Sequence, residues 1–217
     1  MREMSLIDHL EELKGTLIKM ALILFFGFLV CYGFSDEIAA FLLRPLEEAL
    51  AGSRGSIVYL GVLDKLISEF TVAFWSGILL TSPLWFYQIW AFIRPALYDH
   101  EAKIVKPFIL VGFLLFCLGA AFGYFIVFPL TFKFLMNFGA DNVVATINFR
   151  EHLVLCTKVL LFLGLIFQLP NVLLILGFMG LVTKYSLREK RRYVYVGLAV
   201  FAAVITPPDV ITMMGLW

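Results

Sequence analysis

Charged residues are scarce in this chain of 217 residues, where Asp, Glu, Lys and Arg together make up only 15%. Hydrophobic residues make up 62%, and the mean hydropathy is +0.95. A soluble domain needs more polar surface than this composition supplies. The composition therefore excludes a soluble globular protein and favours an integral membrane protein.

Motifs for catalysis and cofactor binding are also lacking. The three cysteines each lie alone in an apolar stretch, at Cys31, Cys117 and Cys156, and the chain has no CxxC. It has no phosphate-binding glycine loop and no HExxH, and no Ser or Cys stands at motif spacing from a base. The sequence therefore predicts no enzymatic activity, no catalytic residue, no metal, no cofactor and no nucleic-acid partner.

Long apolar segments are what the chain does contain, and the first four are typical of membrane-spanning helices. The fifth apolar run, 193–205, has only thirteen residues, so it needs flanking residues or a locally thinner membrane to span. We expect spans at about 18–34, 66–89, 107–128, 152–178 and 193–206, with a partial span at 210–217. The third is expected to end at Pro129, and the polar stretch 35–64 is expected to be a loop with a short helix near 44–50. We predict an all-α, polytopic helical membrane protein with a single transmembrane domain over residues 1–217.

The basic residues are distributed unevenly over the two sides of these spans. Eleven of the 17 Lys and Arg fall on the side of the N-terminus and of the segments 90–106 and 184–192. Cytoplasmic loops of membrane proteins carry the excess of Lys and Arg. The sequence thus predicts a cytoplasmic N-terminus.

One polar side chain lies well inside a predicted span. Gln168 is followed by Pro170, which cannot donate a hydrogen bond to the carbonyl of Ile166. We expect a kink there, with a free acceptor beside Gln168. A polar residue at such a break is typical of a cavity or of a contact with a partner's helix.

The stretch between the second and third spans is rich in aromatic residues and reads SPLWFYQIWAFIRPALYDHE. Its rings, from Trp85 to Phe92, are typical of an aromatic belt at the membrane interface. Pro83 and Pro95 fix the chain direction on either side, and an acidic segment ends the stretch. These additions favour a functional surface.

This stretch resembles the TatC family, the multi-spanning receptor subunit of the twin-arginine protein translocase, as do HLEELKGTL near the N-terminus, AAFGYFIVFPL and TPPD. The resemblance implies six spans, the sixth of them truncated here, in the bacterial inner membrane. It implies a signal-peptide receptor that exports folded proteins across the cytoplasmic membrane with the proton gradient. The implied partners are twin-arginine signal peptides of folded cargo proteins, single-span subunits of the TatA and TatB types, other copies of the chain and the lipid bilayer.

The resemblance also implies roles for single residues. The family's signal-binding acids match Glu12 and Glu101, and the loop residues beside them match Phe92 and Pro95. The family's external-loop proline matches Pro45, and the acid of TPPD matches Asp209, which with Gln168 is expected to contact a partner helix or a cavity. Gln168 itself stands where many members have a glutamate, and Lys14 and Thr16 stand where arginines are common. These departures weaken a proton-carrying role at Gln168 and a need for guanidinium groups after HLEEL.

Two other classes of function are compatible with the residues. An ion-coupled small-solute transporter could be built on Glu69, Lys158 and Gln168, although such folds often contain two related halves and the sequence has no internal repeat. A purely structural membrane scaffold would explain the aromatic belt but not the acids on one side. Binding of a twin-arginine peptide would separate all three.

Overall fold

The computed structural model describes residues 6–51, 55–93, 105–137 and 145–178, together with 182, 188, 192 and 195–197. The helices and strands in chain order are α1 (Leu6–Gly33), α2 (Ser35–Leu50), β1 (Ser56–Val58), α3 (Asp64–Leu80), α4 (Ser82–Ile93), α5 (Val105–Phe122), α6 (Phe128–Asn137), β2 (Thr146–Asn148), α7 (Phe149–Ile166) and α8 (Leu169–Phe178). A π-helical turn, Gly123–Val127, joins α5 to α6. The predicted span at 193–206 lies outside the described residues except for 195–197, and the partial span at 210–217 lies outside them altogether.

Three helical stretches are long and apolar enough to cross a membrane, namely Glu11–Gly33, Ile109–Met136 and Phe149–Leu174. A fourth stretch qualifies when α3 is taken together with α4 up to Ile89, with a bend of 55° between them. These four overlap the four segments predicted as spans before residue 178.

The third span does not end at Pro129, contrary to the sequence prediction. The helix continues through the π-helical turn into α6 and reaches Asn137. In that turn the Phe128 N–H donates to the carbonyl of Gly123, five residues earlier. Pro129 then lies in the first turn of α6, where the loss of one N–H costs little.

The stretch 35–64 is more helical than the sequence prediction allowed. Helix α2 covers sixteen residues from Ser35 to Leu50, with Pro45 inside it. Its buried residues include Ala39, Leu42, Leu43 and Leu46, which recur at helical spacing and cover the bundle. The charged residues of α2 lie on its exposed face, so they do not interrupt the helix.

A short parallel pair of strands joins the two loops at the α2 end of the bundle. Ser56 pairs with Thr146 and Val58 pairs with Asn148. The strands are the one addition to the all-α prediction within the described ranges. We call the described residues between 35 and 64, together with residues 145–150, the cap.

Two buried clusters of side chains hold the helices together. One joins the cap to α7 and to the π-helical turn through residues such as Leu46, Phe128 and Leu153. The other contains Trp85, Phe86, Phe116 and Leu161. Trp85 and Phe86 are therefore core residues in this fold, not members of an interfacial belt, because the bend between α3 and α4 folds them onto α5.

Helices α1 and α3 pack through glycines at their crossing. A Cβ atom added to Gly77 would lie 2.8 Å from the backbone nitrogen of Phe28 and 2.9 Å from the carbonyl carbon of Gly27. Small residues allow membrane helices to approach to backbone contact in this way. The approach fixes α1 against α3 along their length.

Candidate functional site

Two of the predicted site residues within the described ranges, Glu12 and Phe92, lie at the end of the bundle opposite the cap. Helix α3 starts at the cap and α4 ends away from it, so the start of α1 and the end of α4 lie at one end, and α1 contacts α4. Glu12 lies in the first part of α1, and Phe92 lies in the last turn of α4. We call this the Glu12 end. Glu101, Pro95 and Asp209 lie outside the described residues.

Glu12 is half-buried, and one of its carboxylate oxygens is shielded from solvent. This atom, Oε2, has no hydrogen-bond partner among the described residues. A buried carboxylate oxygen without a donor is energetically costly, and a charged donor offsets that cost best. Glu12 thus carries a shielded acceptor atom whose hydrogen-bonding capacity is unused within the described residues.

The direction of α4, and with it the place of Phe92, depends on the break that follows α3. The Thr81 N–H and its side-chain hydroxyl both donate to the carbonyl of Gly77, at 3.0 and 2.7 Å. The indole N–H of Trp85 donates to the carbonyl of Ile78 at 3.0 Å, which satisfies an acceptor that the break sets free. The Trp85 ring also meets Phe116 of α5 edge to face, with centroids 5.8 Å apart. The bend is therefore held on both of its sides.

Gln168 lies at a break between α7 and α8. The first helix ends at Ile166 and the second begins at Leu169, so Pro170 produces an interruption and not only the predicted kink. The Gln168 side chain is buried, and its Nε2 donates to the carbonyl of Gly112 in α5 at 2.6 Å. The side chain thus engages a neighbouring helix of the same chain; contact with a partner's helix stays a prediction.

Asn171 completes this polar group, and the sequence analysis missed it. Its Nδ2 donates to Oε1 of Gln168 at 3.3 Å, while its own Oδ1 is buried without a partner among the described residues. A Cβ atom added to Gly112 would lie only 2.8 Å from Asn171 Nδ2. The available signal was the spacing, because a residue three positions after Gln168 lies on the same face of a helix.

The residues of the transporter alternative do not form one site. Glu69 lies beside the cap, where its carboxylate is 3.6 Å from the ammonium group of Lys65. Lys158 is exposed on α7, and Gln168 lies about 15 Å further along the same chain, at 1.5 Å per helical residue. No path of polar groups joins the three within the described part of the chain.

The cap is held by charged groups that the sequence analysis also missed. The Asp64 carboxylate accepts hydrogen bonds from the N–H groups of Leu60 at 3.1 Å and Gly61 at 2.6 Å. The guanidinium group of Arg150 lies 3.6 Å from the same side chain, which is mostly buried. Asp64 therefore ties the loop after β1 to the start of α7.

Pro45, which the resemblance matched to an external-loop proline, lies inside α2 and is buried. The hydroxyl of Tyr124, in the π-helical turn, donates to the carbonyl of Phe41 at 2.8 Å. Near this contact, Cys156 Sγ and His152 Nε2 are 3.4 Å apart on successive turns of α7. The described residues contain no group of three or more His, Cys, Asp or Glu arranged to hold a metal.

Known proteins resemble this chain over most of its length. Residues 8–217 match the family model described as Sec-independent protein translocase protein (TatC). A Sec-independent protein translocase protein TatC from Magnetococcus marinus is 37% identical over 211 residues, which are 97% of this chain and 78% of that protein. The Escherichia coli K12 protein of the same name is 34% identical over 205 residues, covering 94% of this chain and 79% of the relative.

A solved structure has the same fold. The crystal structure of a twin-arginine translocase receptor, TatC, superposes with a TM-score of 0.84 at 31% sequence identity. The superposition covers 95% of this chain and 90% of the other. The fold class predicted from the sequence, a polytopic helical membrane protein, is confirmed by this likeness.

Proposed function

Since the chain belongs to the TatC family, as its four motifs predicted, we propose that it is the core subunit and signal-peptide receptor of a twin-arginine translocase. In this role it exports folded proteins across the cytoplasmic membrane and uses the proton gradient. It works as a receptor and not as a catalyst. The family assignment favours this function over the ion-coupled transporter.

The observation that carries the receptor role is the shielded oxygen of Glu12. A twin-arginine peptide offers planar guanidinium groups, which match carboxylates in shape and charge. Glu12 and Glu101 are the two acids that receive them, and Phe92 and Pro95 line the approach. The oxygen without a partner supports this role, because a guanidinium group from outside the chain would supply the missing donor.

The orientation follows from the basic residues. With eleven of the 17 Lys and Arg on its side, the N-terminus lies in the cytoplasm of a bacterium and the cap lies outside the inner membrane. Residues 1–217 form one transmembrane domain with the spans predicted above. Signal peptides therefore meet the Glu12 end from the cytoplasm, before any part of the cargo crosses.

The translocase partners bind elsewhere on the same chain. Subunits of the TatA and TatB types contact the polar group around Gln168 and the segment of Asp209, and further copies of the chain complete the assembly. Gln168 supports this placement because it is a polar residue at membrane depth beside a helix break. Pro45 serves on the external side, as part of the cap.

Site-specific photo-crosslinking tests the receptor role. A photoreactive residue in place of Phe92 or Glu101 should crosslink to a twin-arginine peptide and much less to the matching peptide with two lysines. The same photoreactive residue at Val62, which is fully exposed on the cap, is the matched control and should crosslink to neither. Equal crosslinking of both peptides at Phe92 and Glu101 would contradict the proposal.

A further inference from the structure

Helix α2 contains a backbone acceptor that its own chain segment cannot satisfy. In an α-helix the carbonyl of Phe41 would accept from the N–H of residue 45, but residue 45 is proline and has no N–H. The proline ring also pushes this carbonyl aside. Pro45 and Leu42 are buried, whereas the Phe41 side chain is exposed, so this acceptor lies within the continuous helix at the edge of the core.

Tyr124 supplies the missing donor from the other side of the core. Its hydroxyl lies 2.8 Å from the Phe41 carbonyl oxygen, across 83 positions of the chain. Its ring stacks on the ring of Phe41 with centroids 4.1 Å apart and an angle of 5° between the planes. The hydrogen bond and the stacking meet at one residue, so the contact fixes both the position and the rotation of α2.

The position of Tyr124 within the third span lets this contact link α2 to the helix bundle. Tyr124 is the second residue of the π-helical turn, the place where α5 changes into α6. The turn packs directly on α7, since a Cβ atom added to Gly123 would lie 2.7 Å from a methyl carbon of Leu163. π-helical turns are rare overall, and those that do occur are often found at functional sites. The hydroxyl thereby joins the cap to the middle of the helix bundle.

We propose that Tyr124 is a positioning residue, which holds the proline-containing helix α2 over the bundle by satisfying the carbonyl that Pro45 leaves free. Pro45 and Tyr124 form a functional pair although their side chains carry no charge. The proline leaves the Phe41 carbonyl without its donor in the helix. The tyrosine can supply that donor only when the third span is correctly placed. Its importance for export rests on the function proposed above.

A double-mutant cycle in the full chain tests the pair. Tyr124→Phe keeps the stacked ring and removes only the hydroxyl, and Pro45→Ala restores the N–H that can satisfy Phe41 within α2. In the native background, Tyr124→Phe should raise hydrogen exchange of the α2 amides by about three- to tenfold, the range expected for one lost hydrogen bond. In the Pro45→Ala background, the same substitution should change exchange by less than about twofold, because the acceptor is already satisfied.

Export of a folded reporter is measured in parallel, in membrane vesicles that carry the whole translocase. Tyr124→Phe should slow export, and Pro45→Ala in the same chain should restore most of the loss that the hydroxyl caused. Tyr59→Phe, at an exposed cap tyrosine, is the matched control and should leave exchange and export unchanged.

If Tyr124 contributed only to general stability, Tyr124→Phe would raise hydrogen exchange equally in the native chain and in the Pro45→Ala variant. An equal effect in the two backgrounds therefore overturns the proposal. No effect in the native background overturns it as well. Hydrogen exchange can show the expected coupling between Pro45 and Tyr124 even if neither the native chain nor any variant exports the reporter. In that case the positioning role stands and the proposed function fails.

Discussion

The cap and the Glu12 end differ in how they treat their polar groups. In the cap, the Asp64 carboxylate is engaged by two backbone N–H groups and by Arg150, and the carbonyl freed by Pro45 is engaged by Tyr124. At the Glu12 end, the shielded oxygen of Glu12 has no partner. Within the described ranges, the buried side-chain atoms without a partner are all outside the cap.

Under the receptor role proposed above, this difference separates a part of the molecule that is complete by itself from a part that a ligand completes. A buried polar atom without a partner lowers stability, so a fold keeps one where another molecule supplies the bond. The described part of the cap has the opposite property, because none of its buried side-chain N or O atoms lacks a partner. Substitutions in the cap should therefore change stability, and substitutions at the Glu12 end should change binding.

The largest effect is expected for Glu12→Lys. Hydrogen bonds to charged groups contribute roughly 1.5 to 3 kcal/mol, and a lysine adds repulsion of the peptide's arginines to the loss of the contact. Binding of a twin-arginine peptide at low salt should weaken by more than about tenfold, and Glu12→Ala should weaken it less. Thermal unfolding in detergent should barely change, since the native oxygen makes no hydrogen bond within the described chain.

Glu11→Lys is the matched control for this charge reversal. Glu11 is the exposed neighbour of Glu12 and carries the same charge on the adjacent face of α1. A comparable loss of binding with Glu11→Lys would indicate a general effect of charge near the membrane. Unchanged binding of the peptide to Glu12→Lys would show that the receptor site is not at this end of the molecule.

A smaller effect, on stability and not on binding, is expected for Asp64→Ala. The substitution leaves the N–H groups of Leu60 and Gly61 without their acceptor and leaves Arg150 without its carboxylate. The free energy of unfolding should fall by about 1 to 2 kcal/mol, the lower part of the range for hydrogen bonds to a charged group, because Leu60 and Gly61 are exposed and water can replace the lost acceptor. Denaturant titration of the purified protein measures the loss.

The comparison between the two ends is broken if Asp64→Ala also weakens binding of the twin-arginine peptide. Arg150→Ala provides the control, because it removes the ion pair but keeps both backbone hydrogen bonds to Asp64. It should cost less than about 1 kcal/mol, since its partner atoms are 3.6 Å apart and the arginine is partly exposed. If Arg150→Ala lowers the free energy of unfolding as much as Asp64→Ala does, the ion pair and not the backbone hydrogen bonds stabilises this part of the cap.

The four spans before residue 178 could be predicted from the sequence because long apolar segments have few other stable structures in a membrane. The family could be predicted because four motifs fall at matching places along the chain. Helix α2 was missed as a full-length helix, since its acidic residues near both ends resemble a loop. The spacing of Leu42 and Leu46 was the available evidence for it.

Contacts between distant segments could not be predicted in the same way. The strands are three residues each and pair between two loops, so neither carries a pattern of its own. Trp85 and Phe86 have the composition of an interfacial belt, and only the bend after α3 places them in the core. The hydroxyl of Tyr124 and the side-chain amide of Gln168 acquire partners only when separate helices meet.

The smallest effect is expected at Gln168, which lies between the cap and the Glu12 end. Its substitution tests whether a polar group in the middle of the bundle affects stability, partner binding or both. Gln168→Ala removes the hydrogen bond to the Gly112 carbonyl and the acceptor for Asn171. Hydrogen bonds between membrane helices average about 0.6 kcal/mol and rarely exceed about 1.7, so the protein should remain folded with slightly lower stability. Leu169→Ala, at the exposed neighbouring position, is the matched control for the loss of side-chain volume. Binding of the signal peptide should be unchanged, while recovery of TatA- and TatB-type subunits on purification should fall for Gln168→Ala alone. If both variants retain these subunits equally, Gln168 serves only to join α5 to α8, and the partner contact must be sought elsewhere on the chain.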